Sequence, residues 1–164
     1  MPTAEGMAMA QSDIFLQIDG VDGESQDDKK RNQIEIVSFA IGGLNAGSVS
    51  QGGKAKVNLS EMRLTKHMDK SSPNLFANLC NGQTFKATIT VRKAGGAPVD
   101  YVKIELKACV ISSYNLEVKH DSTPLENFSL TYGQIQYTYW TQDSKGSLGP
   151  AIMKSYNLMT NVLS

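Results

Sequence analysis

Residues 85–118 read FKATITVRKAGGAPVDYVKIELKACVISSYNLEV, and this stretch decides the fold. Phe85, Ala87, Ile89 and Val91 alternate with Lys86, Thr88, Thr90 and Arg92, the period of two that marks a strand with one buried face. The turn at Ala94 to Pro98 closes a hairpin. Beyond it Val102, Ile104, Leu106, Ala108 and Val110 hold one phase, which Tyr114, Leu116 and Val118 resume after Ser112. A strand of that length must bend or be shared between two sheets.

Strand character extends on both sides of this hairpin. Ile14, Leu16 and Ile18 alternate in Asp13 to Asp19. In Gln33 to Ile41 the phase moves from Ile34 and Ile36 to Val37, Phe39 and Ile41, predicting a bulge or burial on both faces. Lys54 to Leu64 shifts phase near Ser60 and Glu61. Downstream, Phe128, Leu130 and Tyr132 take one phase and Ile135, Tyr137 and Tyr139 the other, with Gly133 at the break. Thr141 to Gly149 reads as a polar loop and Ile152 to Leu163 as a weakly apolar final element. One helix interrupts the strands: Ser72 as N-cap, Pro73 in the first turn, a stripe of Leu75, Phe76, Leu79 and Cys80, and Gly82 as C-cap. The pattern predicts an all-β, mainly antiparallel domain with one short α-helix, either a barrel or a sandwich, and the bulges favour a barrel because closure needs bends.

The 164 residues and 17.8 kDa suit one domain, residues 13–164, with residues 1–12 expected as a flexible leader. Sixteen basic and sixteen acidic side chains cancel, which disfavours nucleic acid as a partner. No apolar window is long enough to span a membrane, and the first residues lack the features of a secretory signal, so no membrane insertion is expected. Cys80 and Cys109 belong to no CxxC, and each is expected as a small buried hydrophobe.

Candidate chemistry is sparse. His67 and His120 have no partners at metal-ligand spacing, and no phosphate loop, nucleophile elbow or zinc motif occurs. The glycines at 42, 43, 52 and 53 precede a strand, where a phosphate cradle would need a helix. Asp19 to Asn32, with its DDKKR run, reads as a solvated loop in which the carboxylates of Glu24, Asp27 and Asp28 stay in water. The sequence thus predicts no catalytic site, no metal and no cofactor. Two strand faces are unusually free of charge: Asn127, Ser129 and Thr131, then Gln134, Gln136, Thr138 and Trp140. Interfaces are depleted in charged side chains, so Ser129, Thr131, Gln134, Gln136 and Thr138 are candidate subunit-interface residues.

VDGESQDDKK at 21–30, LTKHMDKSSPNLFANLCNG at 64–82, VRKAGG at 91–96, ISS at 111–113 and ENFSLTYGQIQYTYWTQDSKG at 126–146 resemble the haemolysin co-regulated protein (Hcp) family, the tube proteins of bacterial type VI secretion systems. The resemblance covers about residues 13–164, with Tyr156 where many members have Trp. It implies a two-sheet β-barrel with one short flanking α-helix, related to phage tail tube proteins, that forms a homo-hexamer. It further implies rings stacking head to tail into a tube, a contractile sheath and a spike as partners, and secreted effectors in the lumen. Assembly in the bacterial cytoplasm followed by export without a signal peptide is part of the same expectation. The resemblance places Gly95 on one ring face and Met159 on the other, with the Gly42 to Gly53 loop, including Gly43, Asn45, Gln51 and Gly52, reaching toward the next ring. The competing expectation is a monomeric barrel that binds a small ligand.

Overall fold

The structure is a computed structural model that describes residues 12–47, 57–93 and 98–164. β1 (Ser12–Ile18) lies between β2 (Ile34–Ile36) and β7 (Phe85–Lys93), all antiparallel, with Leu16 opposite both Ile34 and Ile89. β7 pairs with β8 (Asp100–Glu117), and the sheet continues through β10 (Gln134–Gln142), β11 (Leu148–Asn157) and the short β12 (Val162–Leu163). A second layer is formed by β3 (Ser38–Ala40), β6 (Met62–His67), β9 (Leu125–Thr131) and the far half of β8. We call these sheets A and B.

Two strands turn the corners between the sheets. The 34–41 segment splits at Val37: β2 pairs in sheet A and β3 in sheet B, which is the physical meaning of its phase change. β8 pairs with β7 and β10 in sheet A, then with β9 in sheet B. Closure therefore runs through chain continuity at the corners, without one unbroken hydrogen-bond ladder. At the β8 corner Ala108 has φ of 54°, a left-handed conformation that costs a side-chain-bearing residue about 1–2 kcal/mol. This reverses the inward phase. Ile104 and Leu106 are buried before it and Cys109 and Ile111 after it, whereas the sequence expectation had carried Ala108 and Val110 inward. The shift near Ser60 likewise separates β5 (Val57–Leu59) from β6. The loop expected at Thr141 to Gly149 is shorter, because β10 runs to Gln142 and β11 begins at Leu148.

The core lies between the sheets, where Leu16, Ile34, Met62, Leu64, Ile89, Ile104, Leu106, Ile111, Phe128 and Leu130 are buried. α1 (Ser72–Asn81) packs against β8 and inserts Leu75, which is fully buried. Here the expectation needs correction. Ser71 is the N-cap, Ser72 is already helical, Phe76 is exposed edge-on to Tyr114, and Cys80 faces solvent. Leu79 is partly buried. A ten-residue helix offers only a narrow apolar stripe, and here the side next to Leu75 meets the sheet.

Candidate functional site

Two ion-pair clusters assemble from the sequence motifs. On β6, Met62, Leu64 and Lys66 share the inward phase; on β9, Glu126, Phe128 and Leu130 do the same. Register sets Lys66 opposite Glu126, both fully buried, with Nζ 2.8 Å from Oε1. Nζ also lies 3.0 Å from Asp69 and 3.2 Å from the Ser72 hydroxyl. That hydroxyl donates to Glu126, and Tyr114 donates to the other carboxylate oxygen. Burial, then the neighbouring Glu126, raises the Tyr114 pKa, which keeps the phenol protonated as a donor. Asp69 accepts from the Ser71 amide at 2.8 Å, shaping the turn into α1. The cluster ties β6, β8, β9 and α1 together. With both principal charges excluded from solvent, it holds the fold and presents nothing to a substrate. Sequence reading missed it, although two opposite charges at inward strand positions were a usable signal.

The second cluster joins the 21–30 segment to β7. Arg92 is largely buried, its guanidinium 4.9 Å above the ring of Phe15, and donates to Asp27 at 2.7 Å. This bond, opposed by desolvation, lowers the Asp27 pKa to about 2. Lys30 reaches Asp100 at 2.8 Å. The segment is thus packed, in contrast to the solvated loop expected from its charge: Val21 and Ser25 are buried, and a Cβ on Gly23 would stand 2.5 Å from the Gln33 carbonyl. Glu24 accepts from the Lys70 amide at 3.1 Å. Charge composition hid these contacts because the charged side chains lie at the rim of the packed turn.

The candidate stacking residues fall on separate features. β4 (Gly43–Asn45) and β5 form a two-stranded arm whose Leu44 is 77% exposed. A Cβ on Gly43 would meet the tip of the Leu59 side chain at 2.8 Å and the Asn58 carbonyl at 3.0 Å, so there is little room beside this backbone. The arm is rooted where Ser60 pairs with Gly42 and accepts from the Tyr132 hydroxyl at 2.9 Å. Met159 is exposed in the turn before β12, next to Gly133 beside the Ala108 corner in the middle of β8. Gln51, Gly52 and Gly95 lie outside the described residues.

The candidate interface residues also divide. Ser129 and Thr131 lie on the outer side of sheet B, while Gln134, Gln136 and Thr138 lie on that of sheet A, and of these Ser129 and Thr138 are buried within the protomer. Gln136 is engaged within the protomer, donating to Glu105 at 2.9 Å. The outer face of sheet B is a ladder of small polar groups: Ala40, Arg63, Ser129 and Ser113 in one row, and Ser38, Thr65, Asn127 and Asn115 in the next.

A further surface was not expected. β10, β11 and β12 extend sheet A past the reach of sheet B. On the core-facing side of this wing Ile135 is still packed on the core, but Tyr137, Tyr139, Ile152 and Leu163 are 46%, 40%, 57% and 69% exposed. Period alone signalled an inward face; it could not signal that the opposing sheet stops short. Among the described residues no group of acidic, His or Cys side chains could hold a metal, and no helix is long and apolar enough to cross a membrane.

Comparison with known proteins agrees with this architecture. Residues 15–139 match the family model described as type VI secretion system effector, Hcp. The chain is 34% identical over 157 residues to Protein hcp1 of Pseudomonas aeruginosa, covering 92% of this chain and 97% of that protein. Its fold resembles the crystal structure of Hcp1 from Salmonella typhimurium, with a TM-score of 0.80, 30% identity, and coverage of 95% of this chain and 100% of that one. A solved structure described as a type six secretion system protein gives a TM-score of 0.87 at 28% identity, covering 94% of this chain and 100% of that one. Barrel, helix and sequence agree from end to end of the matched region: the chain belongs to the Hcp family and is a tube subunit of a type VI secretion system.

Proposed function

We propose that six copies of this chain close into a ring, that rings stack head to tail, and that the resulting tube is expelled by a contractile sheath with a spike at its tip. The observation that carries the ring is the uncovered wing. Tyr137, Tyr139, Ile152 and Leu163 continue the core side of sheet A into solvent, with Lys154 opposite Tyr137, and a largely apolar sheet face of that kind is stabilised by a second layer from a neighbour. Gln134, Gln136 and Thr138, opposite Lys107, Glu105 and Lys103 on the outer face of sheet A, join this contact. Gly43 and Asn45 on the arm, Gln51, Gly52 and Gly95, and Met159 serve the contacts between rings.

The outer face of sheet B suits the lumen. Its rows of Ser, Thr, Asn and Ala with the single cation Arg63 neither repel nor strongly retain a passing protein, which fits transient carriage of effectors. Assembly occurs in the bacterial cytoplasm and export follows through the machine. A monomeric ligand-binding barrel is less well supported, because the space between the sheets is filled by Phe128, Leu130, Met62 and their neighbours. Sedimentation of the purified chain tests the reading. A species near six times 17.8 kDa is expected, and a monomer persisting at tens of micromolar without aggregation overturns the ring.

A further inference from the structure

Ten asparagines occur in the chain, and nine precede Gln, Ala, Leu, Phe or Val. Only Asn81 precedes glycine, and that pair is the C-terminal cap of α1. A bulky following residue hinders attack of its own amide nitrogen on the asparagine side chain; glycine does not. Asn81 is exposed, and its Oδ1 accepts from the Gln83 amide at 2.8 Å, a bond that polarises the Cγ carbonyl and stabilises charge building on that oxygen. Against this, the attacking nitrogen is occupied: the Gly82 N–H donates to the Asn78 carbonyl at 3.1 Å, with Gly82 at φ of 65°. The cap thus holds an activated carbonyl beside a restrained nucleophile.

We infer that Asn81 is a site of spontaneous deamidation gated by fraying of the last turn of α1. When the turn opens, the Gly82 nitrogen bonds to Asn81 Cγ, and Nδ2 leaves as ammonia, taking up the proton lost from the glycine nitrogen. Water then opens the succinimide to an aspartyl or isoaspartyl residue. No electrons are transferred. The product places a carboxylate at the negative end of the helix dipole, where the last turn carries no basic side chain to offset it. The isoaspartyl form also adds a methylene to the backbone at the cap. Both changes weaken the turn that holds Leu79 to the sheet, so a modified protomer keeps its barrel and loses order in α1.

The test incubates the folded full-length chain and a denatured control at mildly alkaline pH and locates the mass gain of about 1 Da by peptide mapping. Asn81 is expected to convert before any other asparagine in the folded chain, and more slowly there than in the denatured control. Leu79→Ala, which loosens the helix while leaving the Asn-Gly pair intact, is expected to raise the folded rate several-fold. First conversion at a different asparagine overturns the site. Equal rates in folded and denatured chains, or no acceleration by Leu79→Ala, overturn the gate. In the denatured chain, where the cap no longer matters, Gly82→Ala controls for attack by the backbone nitrogen, and an undiminished rate there also overturns the mechanism.

Discussion

At Lys66 and Glu126 two full charges sit among Leu64, Phe128 and Leu130, and their mutual contact offsets the cost of removing them from water. Removing Lys66 leaves Glu126 with the Ser72 and Tyr114 hydroxyls but without its buried counter-charge. Lys66→Met is therefore expected to destabilise the chain by about 3–5 kcal/mol in urea unfolding, while Lys66→Met with Glu126→Leu costs less than the sum of the two single variants and recovers only part of the loss, because Ser72, Tyr114 and Asp69 lose their partners. Additive losses in the double variant would show that the pair is not coupled. Asp27 responds to pH in a defined direction. Its folded pKa, about 2, lies below the reference value of 3.8, so its contribution is fully present above pH 3.8 and is lost as pH falls toward 2. The stability difference between the chain and Asp27→Asn is expected to shrink across that window, followed by acid titration of near-UV circular dichroism. Cys109 is chemically quiet, since burial pushes its thiol up to about 12; alkylation at neutral pH is expected at Cys80 alone.

The elements divide by how much of each can be read from its own residues. Alternation in 85–93 and 125–132 gives strands with their buried faces, because each is covered by a full layer. It fails at the second half of β8, where the left-handed Ala108 reverses the phase, and at the helix, where periodicity gives four apolar positions but the docking angle accepts one fully. The interface candidates Ser129 and Gln136 shared a lack of charge, which carries no information about which sheet each belongs to. For α1 the consequence is measurable. Leu75→Ala is expected to cost about 2–5 kcal/mol, and Phe76→Ala under about 1 kcal/mol, since only the first leaves a cavity. Similar losses from both would mean that Phe76 is packed more deeply than its exposure shows. Ala108→Gly removes the left-handed strain at the corner and is expected to be neutral or stabilising by up to about 1 kcal/mol.

For the whole molecule, the decisive asymmetry is that sheet A is wider than sheet B. A double variant, Tyr139→Asp with Ile152→Asp, is expected to abolish rings in sedimentation while leaving the far-UV spectrum and melting of the protomer close to the parent. Rings that survive it would move the contact away from the wing. β8 gives the same architecture a mechanical character. Its 18 residues run through both sheets, flanked by β7 and β10 along one half and β9 along the other. A load applied along this strand is shared by many hydrogen bonds at once, in shear, so separation requires breaking them together; a load applied across it would peel them one by one. β8 is thus a strut, stiff along its own direction and weaker across it, and a shaft made of such parts resists thrust when its struts follow the line of force.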